Sequence, residues 1–382
     1  MEGLMRSAEL LDAFDVPLPL DEDIDSEGTI TQPFDPAKIR VETKQLSIDT
    51  LLSRMANGEI ILQPEFQRQE VWRDKARSRL IESILIRIPL PAFYMDATDD
   101  DKWLVVDGQQ RLGTLERFVL APEEDRLHLQ NLEFLSEFEG RTFEELPRAF
   151  QRRIRETNIT VYLIERGTPS AVKINIFKRI NTGGLPLSPQ EIRHALNGQP
   201  VAGFLKQLAA SVEFQDATNR AVPSERMADR EFVARFFAFL ITPPEDYAGQ
   251  EFDTFLSETM AAINKRTDED RDGLHYRFRR AMRLCGDILG RTAFRKLFSL
   301  DPSERLRPVN KALFEAWSVN FDKLTDREAL TLKERREDLR RRFVELMQDR
   351  GFEQSITQGT GDTIKVKMRF ASIARIIRET LS

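Results

Sequence analysis

The hydrophobic pattern changes character once along this chain of 382 residues, near residue 200. Before that point, short apolar runs of strand length alternate with amphipathic helical stretches. Beyond it the pattern is almost wholly helical. The expected fold class is α+β, a mixed α/β core followed by a helical part. Three segments follow from this: an acidic, flexible arm over residues 1–40, an α/β domain over 41–200, and a helical domain over 201–382.

Local signals place the elements. Ser47 stands before the stripe Ile48, Leu51, Leu52 and Met55, so it caps a helix that ends at Asn57-Gly58 and leads into a strand. The polar run QPEFQRQEVW that follows reads as a loop. Leu80, Ile81, Ile84, Leu85 and Ile88 predict a helix over 75–88, stopped by Pro89 and Pro91. The runs 92–95 and 103–106 predict two neighbouring strands, and 157–165, rich in β-branched residues, a third. A helix around 170–180 carries Val172, Ile176, Phe177 and Ile180 on its apolar side. Ser188, Pro189 and Glu191 form a capping-box signal for a helix ending at Asn197-Gly198. Further helices are expected over 231–241, 252–265, 272–290 and 308–322.

Composition bounds the class of protein. Hydrophobic residues make up 41% and charged residues 31%, which supports a core and excludes global disorder. No apolar run approaches the roughly 18 residues of a membrane span. The acidic first residues lack the basic-then-apolar order of a secretory signal, so a cytoplasmic location is expected. Cys285 is the single cysteine, which excludes a disulfide scaffold and a multi-cysteine zinc site.

The net charge of -6 is unevenly spread. Residues 1–40 hold ten acidic and three basic residues; residues 331–382 hold twelve basic and eight acidic. The acidic arm reads as a solubilising segment or as a cover over a basic surface. On the basic stretch, Arg336, Arg340 and the adjacent Arg341 are candidate nucleic-acid contacts. A solvated helix laced with ion pairs explains the same arginines equally simply.

One short stretch concentrates chemistry. Asp107-Gly108-Gln109-Gln110-Arg111 lies between an apolar strand and a helical pattern. Gly108 permits positive φ or a close backbone approach. The amides opening the next helix favour an anion, and Arg111 offers a planar fork for phosphate oxygens. Gln109 or Gln110 is placed to orient a water, and Asp107 to act as a base or to hold a metal-bound water. The same residues also fit an ordinary polar turn capped by Asp107. Neither a Walker loop nor a dinucleotide fingerprint is present.

Four motifs in order, QPEFQRQEVW, LIESILIRIPLPAFYM, VVDGQQRLGTL and NIFKRINTGGLPLSPQEIRHAL, resemble the N-terminal domain family of GmrSD-type restriction endonucleases, a ParB/sulfiredoxin-like group. The resemblance spans roughly residues 45–200. It implies a nucleotide-binding α/β core followed by helices, with NTP binding and divalent-metal-dependent NTP hydrolysis in bacterial defence against foreign DNA. Asp107, Gln109, Gln110 and Arg111 would be catalytic. Phe66, Gln67, Arg68, Gly108, Arg111, Thr114, Arg179, Asn181 and Thr182 would contact the nucleotide, with Mg2+ or another divalent cation. Gly113 stands where many relatives have threonine. Cleaving members carry an HNH domain; His128, His194 and His275 are far apart here and form no such pattern. The expectation is an NTP-dependent sensor acting with DNA and a separate effector or nuclease. The alternatives are a DNA-binding adaptor without catalysis and a ParB-like nuclease.

Overall fold

The computed structural model describes residues 40–62, 72–180, 188–301 and 303–382, apart from the side chains of 170, 171 and 178–180. The chain divides into two compact units, Pro33–Ala195 and the helical Leu196–Ser382. The fold is α+β, as the pattern predicts.

The first unit is built on a five-stranded mixed sheet in the order β1-β5-β3-β4-β2. The strands are β1 (Val41–Ser47), β2 (Ile60–Ile61), β3 (Phe93–Ala97), β4 (Trp103–Asp107) and β5 (Asn158–Glu165). β3 runs antiparallel to β4 and parallel to β5, and β1 lies antiparallel along the outer edge of β5. Helices α1 (Ile48–Ala56), α2 (Asp74–Leu85), α3 (Gln109–Val119) and α4 (Arg148–Glu156) share a buried cluster with one face of the sheet. Phe93 and Met95 of β3, Val105 of β4, and Val161 and Leu163 of β5 supply that face. Strand alternation turns the residues between them to the other side.

The caps behave as read. The Ser47 side chain accepts from Thr50 N, and Ile48, Leu51, Leu52 and Met55 are all buried. Gly58 takes the left-handed conformation after the helix. Before helix α6 (Pro189–Asn197), Ser188 Oγ accepts from Glu191 N at 3.1 Å and Ser188 N donates to Glu191 Oε2 at 2.6 Å, a complete capping box. Two expectations need correction. The helix predicted over 75–88 ends at Leu85, because Arg87 adopts φ 63°, which leaves Ile88 half-exposed. On helix α5 (Ser170–Ile180) the deeply buried residues are Val172, Ile174 and Phe177, while Ile176 is only partly covered.

Two polar devices brace this unit. Lys173 of α5 reaches Asp96 of β3 at 3.0 Å, with both side chains about one-tenth exposed. Because Asp96 alternates with Met95, this ion pair sets α5 on the face opposite the main cluster. Glu82 of α2 accepts the backbone N–H groups of Glu133, Phe134 and Leu135 at 2.7–3.0 Å.

In the helical unit, α9 (Ala228–Ile241), α10 (Phe252–Asn264), α11 (Asp268–Leu289), α12 (Lys311–Asp322) and α16 (Thr363–Leu381) enclose a phenylalanine-rich core. Charge lies inside it. Fully buried Glu315 of α12 binds Arg235 of α9 at 2.7 Å and Arg369 of α16 at 2.6 Å, and Arg235 also holds Glu231. Each partner's hydrogen bonds offset the cost of removing the others from water. Cys285 is fully buried, and burial pushes its thiol pKa well up, as a small core residue requires. No helix among the described residues is long and apolar enough to cross a membrane.

Burial alone would raise the Glu82 pKa, but the three backbone donors and Arg79 outweigh it and hold the carboxyl below its ordinary 4.5. A depressed folded pKa contributes stability that is complete above the ordinary value and fades as pH falls through the folded one. Glu82→Ala strands three backbone donors, each costing about 1–3 kcal/mol if unsatisfied. Thermal unfolding followed by circular dichroism is expected to show a Tm lower by roughly 5–10 °C at pH 7, with the gap from wild type narrowing below pH 4.5.

Candidate functional site

The Asp107–Arg111 stretch is a strand-to-helix turn with Gly108 as its pivot. Gly108 has φ 99°, and a Cβ there would stand 2.4 Å from Cδ1 of Phe93. Glycine is therefore demanded twice, by conformation and by the ring packed against it. The turn opens α3 with no side-chain cap, and the first intrahelical bond runs from Leu112 N to Gly108 O at 2.8 Å. The N–H groups of Gln109, Gln110 and Arg111 thus have no acceptor within the helix and form its positive end.

Arg111 is occupied differently from the sequence expectation. Its guanidinium lies 4.5 Å over the Phe93 ring and donates to the carbonyls of Pro91 and Ala92. It also pairs with Asp107 Oδ2 at 2.7 Å, with the arginine side chain 11% exposed and the aspartate 33%. Burial pulls the Arg111 pKa down, against the charge and hydrogen bond of Asp107; guanidinium remains charged regardless. The expected free phosphate fork is therefore a clamp between the start of β3 and the end of β4. The clamp fixes Asp107 and leaves its second oxygen outside these bonds.

Strand register brings two further residues beside Asp107. Tyr94 pairs with Asp107 across β3 and β4, and with Tyr162 across β3 and β5. These three residues form one row across adjacent strands. The two rings are stacked, with centroids 4.8 Å apart and planes at 23°, and both are partly exposed. Burial, then Tyr162, then the negative Asp107 push the Tyr94 hydroxyl pKa up, keeping it protonated. The sequence reading missed both tyrosines. Period-two alternation in the strands places each opposite the buried face, but only the pairing register shows that they meet.

The glutamines are partly committed. Gln109 Nε2 donates to Val105 O at 3.1 Å, and Gln110 Oε1 accepts from Trp72 N at 3.4 Å. The Trp72 bond ties the end of the QPEFQRQEVW motif to the turn. Phe66, Gln67 and Arg68 lie outside the described residues, as do Asn181, Thr182 and the side chain of Arg179. Thr114 does not face the turn: it is buried, and its hydroxyl donates to Gln110 O at 2.6 Å. Gly113 has room for a larger residue, since an added Cβ would meet only Leu62, at 3.7 Å.

The basic helix is also satisfied locally. In α14 (Arg336–Leu346), Arg336 and Arg340 approach Glu337 at 3.7 and 3.2 Å, and Arg341 pairs with Asp338. The ion-paired reading of this run describes the observed geometry. Among the described residues no group of three or more His, Cys, Asp or Glu is placed to hold a metal ion. A divalent cation here would need phosphate oxygens beside Asp107. Asp107 supplies one carboxylate oxygen, and the free amides beside it suit phosphate rather than a cation.

Residues 48–197 match the family model described as GmrSD restriction endonuclease, N-terminal domain. A search of curated proteins finds no match to the chain. The matched stretch contains the turn, the tyrosine row and the capped helix α6.

Gly108→Ala combines a positive φ with a clash against Phe93, and each such strain costs about 1–3 kcal/mol. Chemical denaturation should show that loss, and Phe93→Leu in the same chain should recover the part caused by the ring. Equal losses in the single and double variants would show that backbone strain alone requires this glycine.

Proposed function

We propose, since residues 48–197 match the family model of the GmrSD restriction endonuclease N-terminal domain, that this chain is an NTP-binding and NTP-hydrolysing switch of a restriction-type system. The observation that carries the reading is the row Tyr162, Tyr94, Asp107, continued by the uncapped start of α3. Stacked, partly exposed rings suit a nucleobase, whose contact with an aromatic face is worth roughly 1–3 kcal/mol. Free helix amides suit phosphate.

In this reading the base lies against Tyr94 and Tyr162 and the phosphates point to the amides of Gln109, Gln110 and Arg111. Mg2+ bound with the nucleotide would neutralise charge along the phosphate chain. Asp107 would hold that cation, or a water, through the oxygen Arg111 does not use. Arg111 is a positioning residue: it fixes the carboxylate and the strand ends. Gln110 keeps its amide NH2 for a water or phosphate oxygen, because its Oε1 is taken by Trp72. The state of the nucleotide then biases contact with DNA or a separate effector, which performs any cleavage. The family assignment supports the restriction-type setting, and the turn geometry supports a phosphate-bearing ligand.

Purified full-length protein with each of the four NTPs and magnesium tests this through binding and phosphate release. Asp107→Asn is expected to lower turnover by about 100-fold or more, within the range for loss of a catalytic acid–base group, while nucleotide still binds. Tyr162→Leu is expected to raise KM several-fold with kcat nearly unchanged, as loss of uniform binding predicts. Absence of binding for all four NTPs would overturn the proposal.

A further inference from the structure

The helical unit contains a cavity of about 370 Å3 that neither the family match nor the turn accounts for. It lies between the end of α11, the loop leading to α12, and the first turns of α14. Its size falls within the roughly 300–1,000 Å3 of ordinary small-molecule sites. Arg291, Arg295, Lys296, Arg305, Arg307 and Arg340 line it against three acidic residues, Asp301, Glu304 and Glu337. The lining therefore carries a net charge of +3.

The decisive residue is Arg295. It is 3% exposed, yet reaches no carboxylate among the described residues. Its guanidinium donates to two backbone carbonyls, Arg307 O and Thr218 O, and its buried Nε has no acceptor. Burial pulls its pKa down. The other deeply buried arginines of this unit are handled differently: Arg235 and Arg369 share Glu315. Arg369 also leaves Nε unused, but its charge is matched. On the facing wall of the cavity, Arg340 carries a second buried, unpartnered Nε, although its Nη1 reaches Glu337 at 3.2 Å. Arg295 and Arg340 thus both line one net-positive cavity, and each has a buried Nε without an acceptor. A guanidinium held out of water calls for an anion with oxygen acceptors.

The cavity is preformed. An antiparallel bridge between Arg295 and Val309 and the bond from Asn310 N to Phe294 O at 2.8 Å close the base of the loop. Two exposed apolar residues also line it: Phe298 is 42% exposed, with the Arg307 guanidinium 5.6 Å from its ring centroid, and Leu300 is 39% exposed. Cationic groups beside an exposed aromatic ring fit a ligand with one anionic end and one planar end.

We propose that this cavity binds a small phosphate-bearing ligand of the nucleotide class, with its phosphate on Arg295 and Arg340 and its base against Phe298. This site is separate from the Asp107 turn and does not depend on that reading. In it, Arg340 is a cavity residue rather than a contact on an open helical surface.

Hydrogen–deuterium exchange on the full chain, with AMP and with sodium pyrophosphate as probes, tests the proposal by position. AMP is expected to slow exchange over residues 289–307 and the first turns of α14. Arg295→Met and Arg340→Met should each abolish that protection and weaken AMP affinity about tenfold or more, the loss expected for charge-assisted hydrogen bonds. Phe298→Ala should remove protection by AMP and keep that by pyrophosphate. If Arg295→Met fails to fold by circular dichroism, Arg340→Met and Phe298→Ala decide the matter. Protection confined to residues 107–114, or none anywhere, would overturn the site. Protection of 289–307 by duplex DNA but not by AMP would overturn the small-ligand assignment.

Discussion

The architecture around the turn depends on one guanidinium. Arg111 holds the carbonyls at the start of β3, the carboxylate at the end of β4 and the face of Phe93 together. Phe93 in turn occupies the space that a side chain at position 108 would need. Removing the arginine would loosen the strand ends and free Asp107 at once, so a loss of activity on its deletion would not by itself identify a phosphate contact. Arginine suits this post because a planar fork can satisfy several acceptors in fixed directions while stacked on a ring.

The helical unit shows two treatments of the same residue type. Around Glu315, buried arginines are matched by carboxylate, and the network links three helices into one core. At Arg295 the charge has carbonyl partners only and faces a cavity. The first arrangement is complete within the protein. The second leaves a buried guanidinium without a carboxylate partner among the described residues.

Much of this fold was legible locally. Ser47 and the Ser188–Glu191 pair announce their helices because capping depends on residues three positions apart. β1 was not legible: VETKQLS lacks an apolar alternation, and its strand form comes from pairing with β5 more than a hundred residues away. Helix α4, RAFQRRIRE, was also missed, since only Gln151 and Ile154 of it are buried. α11 starts at Asp268, earlier than residue 272, through a capping box between Thr267 and Asp270 that the reading passed over. At the turn, the strand-to-helix backbone is readable from the motif, and the partners of its side chains are not. The partners of Arg111 at Pro91 and Ala92 lie some twenty residues upstream, where no local pattern reveals them.

The tyrosine row has a consequence for how such a site arises and fails. Its members sit at positions 94, 107 and 162, and only the pairing of β4, β3 and β5 makes them neighbours. A nascent or clipped chain lacking β5 would retain every letter of the glutamine motif and still offer half a platform. The row is therefore complete only in a chain whose most distant strand is paired in the sheet.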